Sequence, residues 1–151
     1  MSRLFNAKAI LILGFVLAGC TAGLPYHQAK PDFAKLAPGK SRVFVYRTLN
    51  MVELVHPRVI WIDAKPFGDA LSGTVTFRDV NPGQHVFSEA GRRAKIRVQL
   101  RPNEAMYLRL TLHSQPTGEL DSKITVVPRQ TAEQDMHVLN VIEAKVRDLV
   151  K

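Results

Sequence analysis

The groups in this chain that could do chemistry are few and scattered. The five histidines, His27, His56, His85, His113 and His137, stand in five separate segments, and no two have the i, i+4 spacing that turns a pair of imidazoles toward one metal ion. The single cysteine, Cys20, leaves no Cys/His zinc site and no intramolecular disulfide to be built. Asp63, Asp69 and Asp79 each neighbour a predicted turn, where an aspartate more often braces backbone than moves a proton. No Gly-x-Ser-x-Gly elbow and no glycine-rich phosphate loop occurs in the sequence. The expectation is a protein that is not an enzyme, with no metal and no other cofactor. His85, directly after a Pro-Gly pair, is expected as a half-buried strand residue bonded to that turn, and Trp61 as a core residue.

Cys20 has a different context. Arg3 and Lys8 form a short basic segment, Ala9 to Leu17 is apolar apart from Gly14, and Ala18 and Gly19 are small. This is the three-part layout of a secretory signal, and its apolar run is far shorter than the roughly 20 residues of a spanning helix. The order Leu17-Ala18-Gly19-Cys20 resembles the lipobox of bacterial lipoproteins, which implies that residues 1–19 are removed and that Cys20 carries the lipid. At about 0.8 kcal/mol per buried methylene, two or more acyl chains hold a domain stably at a bilayer. Thr21 rather than an aspartate follows the cysteine, which by the same resemblance points to the outer membrane, facing the periplasm.

Lysines and arginines number 21 against 13 acidic residues, a net charge of +8 that becomes +6 without Arg3 and Lys8. A basic balance favours anionic surfaces, and an exported protein does not meet nucleic acid. One row of cations stands out. If the segments 94–101 and 106–113 pair as a hairpin, their alternation places Lys95, Arg97, Arg101 and Arg109 on one face beside Tyr107 and His113, with Arg92 and Arg93 at its edge. Such a face could bind an anionic envelope polymer, a headgroup or an acidic protein, or could serve only as a solvated surface that opposes aggregation.

The elements that must position these groups are mostly strands. The run 41–47, SRVFVYR, is apolar on both faces, as in a central strand. In 58–63, Ile60 and Ile62 oppose Val59 and Trp61; 74–80 also alternates, and the Pro82-Gly83 pair then predicts a hairpin into 85–90. Strict period two marks 94–101 and 106–113, joined by PNEA, and 123–127 is a last strand before Pro128. Thr131 to Gln134 fits a capping box, after which Met136, Leu139, Ile142, Val146 and Leu149 recur at helical spacing, predicting a helix over 132–150. Residues 20–39, rich in Pro and Gly, read as the lipidated N-terminus and a tether, with a helical turn near Phe33 to Leu36; Tyr26 and Phe33 are the residues that would dock if it folds back. Seven strands and one helix over 40–151 predict a mainly β domain, an antiparallel β-sandwich of immunoglobulin-like or transthyretin-like kind with a C-terminal α-helix.

With the segments PGKSRVFVYR (38–47), WIDAKPFGDA (61–70), VNPGQHVFS (80–88) and RPNEAMYLRL (101–110), the domain resembles an uncharacterised family of bacterial lipoprotein domains. The resemblance implies a hairpin within 61–70, with Ala64 where a glycine is usual and Gln84 where a lysine is usual. It brings no functional residues, because these motifs are turns and core positions. The resulting expectation is a non-enzymatic, membrane-anchored envelope lipoprotein acting as an interaction or assembly module, the other reading being a domain that binds an anionic polymer, headgroup or small ligand through the basic hairpin face. Its partners would be the membrane, through the N-terminal lipid, and a protein or an anionic polymer.

Overall fold

A computed structural model describes residues 23–30, 36–50, 54, 57–90 and 94–142. The signal segment, Cys20, His56, the pair Arg92 and Arg93, Phe33 and the predicted turn beside it, and the last residues of the predicted helix lie outside them. Within the described residues a short helix α1 (Tyr26–Ala29) is followed by strands β1 (Ser41–Arg47), β2 (Arg58–Ile62), β3 (Lys65–Ala70), β4 (Thr74–Val80), β5 (Gly83–Glu89), β6 (Lys95–Leu100), β7 (Ala105–Ser114) and β8 (Leu120–Val126), then helix α2 (Arg129–Met136) and a short strand β9 (Asn140–Val141).

The strands form two sheets, one ordered β8-β7-β1-β4-β9 and the other β3-β2-β5-β6. The β-sandwich expected from the strand pattern is present, and it carries one C-terminal helix. Most neighbours are antiparallel, but β1 lies parallel to β7 and β4 parallel to β9. Between the sheets lies a core of Val43, Val45, Ile60, Phe67, Phe87, Leu100, Leu108 and Leu110. A second core covers the opposite face of the five-stranded sheet, where Phe44, Tyr46, Val75 and Tyr107 meet Tyr26, Ala132, Met136 and Leu139. Strand β1 supplies residues to both cores in strict alternation, which is why every one of its residues is buried.

Two expected hairpins are absent, and one cause accounts for both. β4 and β5 belong to different sheets, as do β6 and β7, so the Pro82-Gly83 and PNEA connections carry the chain across the sandwich. A period-two pattern gives each strand an apolar face, but two such faces can stand side by side in one sheet or oppose each other across a core. Ile96, Val98 and Leu100 of β6 face the same core as Leu108 and Leu110 of β7, from the other side. The hairpin within 61–70 does form, with β2 paired to β3 across Asp63 and Ala64. Both turn residues have positive φ, 47° and 65°, the backbone of a type I′ turn, which is costlier for Ala64 than for glycine.

The C-terminal helix is shorter and earlier than its apolar spacing predicts. It begins at Arg129, its N-cap is Pro128 with no side-chain bond, and the Thr131–Gln134 box lies inside it. Proline's fixed φ sets the entry, and its carbonyl accepts the Ala132 N–H at 2.9 Å. After Met136 the chain turns, Leu139 drops into the second core, and Asn140 and Val141 pair with β4. Met136 and Leu139 are thus buried as their spacing suggests, the second of them by a turn.

The expected tether is partly folded onto the domain. Pro25 bridges Asn140, the Tyr26 N–H donates to the Leu139 carbonyl at 2.7 Å, and the Val141 N–H donates to the Leu24 carbonyl at 2.8 Å. Tyr26 is buried with its ring edge toward Phe44, and burial pushes its hydroxyl up to about 12. Residues 24–30 therefore belong to the domain.

Candidate functional site

The six residues of the expected basic face are divided between the sheets. Lys95 and Arg97 are exposed on the outer face of β6, and Arg101 is exposed just beyond its end. Tyr107, Arg109 and His113 are on β7 in the other sheet. Tyr107 is buried and stacks on Phe44 at 5.1 Å, so it is a core residue of the second layer. Arg109 is half-buried and donates from Nη1 to Asp135 at 3.2 Å, while Tyr46 donates to the same carboxylate oxygen at 2.6 Å; together they fasten α2 to the sheet. His113 is exposed near the end of β7, in register with Asp121.

A different group assembles on the outer face of the four-stranded sheet. Trp61 of β2 is in register with Ser88 of β5, and Ser88 with Lys95 of β6, so the three form a row across three strands. A cleft of about 860 Å³ opens over this row, bounded also by Asp63, Val86 and Glu89. Trp61 is half-buried at the cleft rather than a core residue, and its indole N–H is shielded from water, with no hydrogen-bond partner among the described residues. A nitrogen closed to water is closed to a ligand oxygen of the same size as well, so what Trp61 offers the cleft is the exposed part of its ring.

The carboxylates bordering the cleft are already engaged. Asp63 accepts from the Val86 backbone N–H at 2.9 Å and faces His85 Nδ1 at 2.6 Å, contacts that hold its carboxyl below the usual aspartate range. His85 Nε2 lies 2.8 Å from the Asn81 carbonyl, so the imidazole braces the connection preceding β5 as its position after Pro82-Gly83 suggested. Asp63 is the turn-bracing aspartate expected. Asp79 instead receives Nε and Nη2 of Arg42, its neighbour on β1, at 2.6 and 2.8 Å, because the two residues are in register.

Glu89 points the other way, into the sandwich, where its side chain is wholly buried. Arg58 Nη1 donates to it at 2.8 Å, and the Ser122 hydroxyl of β8 donates to its other oxygen, tying one sheet to the other. A serine on a carboxylate has the composition of a nucleophile and its base. Here the carboxylate is paired with Arg58 and Ser122 is itself buried, so the trio ties the two sheets together. Among the described residues, no group of three or more His, Cys, Asp or Glu side chains could hold a metal ion. Lys95 has no ion-pair partner among them, which places an unpaired cation at the cleft beside the indole ring.

The sequence missed this row because Trp61, Ser88 and Lys95 come from three segments whose pairing order the pattern did not fix. The available signal was the outward parity of Trp61, opposite Ile60 and Ile62. No protein-family model matches the chain, and no curated protein matches it. Among solved structures, the N-terminal domain of AlgF from P. aeruginosa is similar over 61% of this chain and 98% of that one, at 17% identity and a TM-score of 0.41.

Proposed function

We propose that this chain is a non-enzymatic lipoprotein of the bacterial envelope, acylated at Cys20, most consistent with the outer membrane facing the periplasm, and that its sandwich is a binding module. Its ligand surface is the outer face of the four-stranded sheet, and its ligand is anionic. The observation that carries this reading is the row Trp61–Ser88–Lys95, which brings an aromatic ring, a hydroxyl and a cation to one cleft. Arg97, exposed on the same strand as Lys95, extends the positive face along β6. Of the bordering carboxylates, Glu89 is paired with Arg58 and Asp63 is hydrogen-bonded by the Val86 N–H and His85.

An anion arriving at Lys95 can accept the Ser88 hydroxyl while its apolar part covers the exposed part of the Trp61 ring. This combination suits a carboxylate- or phosphate-bearing polymer of the envelope, or an acidic segment of a partner protein. Of the residues of the expected face that lie on β7, Tyr107 is core, Arg109 is held by Asp135, and His113 stands on the other sheet from the row. Binding of an anionic glycan to the chain, followed by the Trp61 indole proton resonance and by its salt dependence, tests the reading. Lys95→Glu combined with Arg97→Glu is expected to weaken binding at least tenfold, and Arg101→Glu, beyond the end of β6, to have a smaller effect. An indole resonance that no anionic envelope component shifts would overturn it.

A further inference from the structure

The docked N-terminal segment leaves very little chain between the domain and its anchor. Only Thr21 and Ala22 separate Cys20 from Gly23, and Leu24 is hydrogen-bonded to Val141 at the edge of the five-stranded sheet. At no more than about 3.6 Å per residue, three residues span about 11 Å. A lipid on Cys20 therefore brings this edge of the sandwich to the membrane surface.

That edge has the side chains for such a position. Val138 is 76% exposed, Leu49 62%, Leu24 57% and Leu71 37%. They are neighbours through the backbone of the edge. The Asn140 N–H donates to the Gly73 carbonyl at 3.1 Å and the Val141 N–H to the Leu24 carbonyl at 2.8 Å, while Leu49 Cδ1 stands 3.2 Å from the place a Gly73 Cβ would take. Val138 is two residues before Asn140, and Leu71 two before Gly73. Four large apolar side chains exposed around one edge are out of place in water but fit the boundary between headgroups and acyl chains. No described helix is long and apolar enough to cross a membrane, so a superficial contact is what this surface offers.

We infer that Leu24, Leu49, Leu71 and Val138 form a bilayer-contacting surface, which holds the sandwich against the membrane in a fixed orientation with the Trp61–Ser88–Lys95 face belonging to the other sheet. The inference rests on acylation of Cys20. Each apolar contact is weak, but the anchor keeps the surface at high local concentration beside the lipid, so a small insertion energy suffices.

The full chain is produced in a bacterial host and purified from membranes, and its intact mass reports the acyl chains. Because Cys20 is the sole cysteine, its acylation leaves a cysteine introduced by Leu49→Cys, Val138→Cys or Gln99→Cys as the one free thiol for a fluorophore. After reconstitution into phosphatidylethanolamine and phosphatidylglycerol vesicles containing nitroxide-labelled lipid, quenching at positions 49 and 138 is expected to exceed that at 99, on the outer face of β6, severalfold. Equal quenching at all three positions in acylated protein overturns the surface and leaves the anchor standing. An intact mass without acyl chains removes the anchor, and the surface with it.

Discussion

Glu89 is the residue whose placement owes most to its partners. Its side chain is fully enclosed, and Arg58 and Ser122 supply the donors that make an ionised carboxylate tolerable there. The sequence contained a hint, since Phe87 and Glu89 share a strand face and Phe87 is a core residue. What it lacked was the partner, because Arg58 lies on another strand and Ser122 in the opposite sheet. Arg58→Leu leaves the carboxylate buried with one hydroxyl for company. The expected loss, read by urea unfolding, is about 3–5 kcal/mol, and adding Glu89→Leu to that variant should recover most of it. A similar loss in the double variant would mean that the site needs polar side chains for packing rather than for charge.

The β2–β3 turn is an element whose stability depends on pH. Asp63 takes a left-handed backbone, binds the Val86 N–H and faces His85, and so clamps the hairpin to β5 and to the connection before it. The Val86 hydrogen bond first, then that of His85, favours the ionised carboxyl and lowers its pKa in the folded state. A group with a depressed folded pKa contributes stability that is complete above its unfolded value, about 4, and is lost as pH falls through the lower folded value. Asp63→Asn keeps an oxygen acceptor and tolerates positive φ, but carries no charge. The wild-type advantage in thermal unfolding should be largest near pH 6 and should vanish toward pH 2; an advantage independent of pH would assign the clamp to shape alone. Such a turn was expected only from the resemblance, because Pro66 and Gly68 break the strand pattern where β3 in fact runs. The helix was less so: Met136 and Leu139 have helical spacing, but pairing of Asn140 and Val141 with β4 competed with continuation and ended the helix at Met136.

At the scale of the molecule, the strands other than β3 and β9 were readable from alternation, whereas strand partners were not, because an apolar face records burial without recording which sheet buries it. The basic face was divided for that reason, and the row at Trp61 could be assembled only across three paired strands. The folded-back segment at Tyr26 is a further consequence of tertiary packing, since its Pro- and Gly-rich composition resembles that of a linker while one tyrosine fills a pocket of the second core. With Cys20 acylated as proposed, that packing sets the reach of the whole domain. Docked, the link from Cys20 to Gly23 spans at most about 11 Å; released as far as Lys40, twenty residues could span about 70 Å. Removal of a buried aromatic side chain costs about 3–5 kcal/mol, enough to free a segment held otherwise by a few hydrogen bonds. Tyr26→Ala in acylated, reconstituted protein should therefore stay in the membrane fraction while quenching of a probe at position 49 falls to the level seen at 99. If the probe at 49 stays strongly quenched in that variant, the apolar edge holds the bilayer without help from the docked segment, and the short link is not what orients the domain.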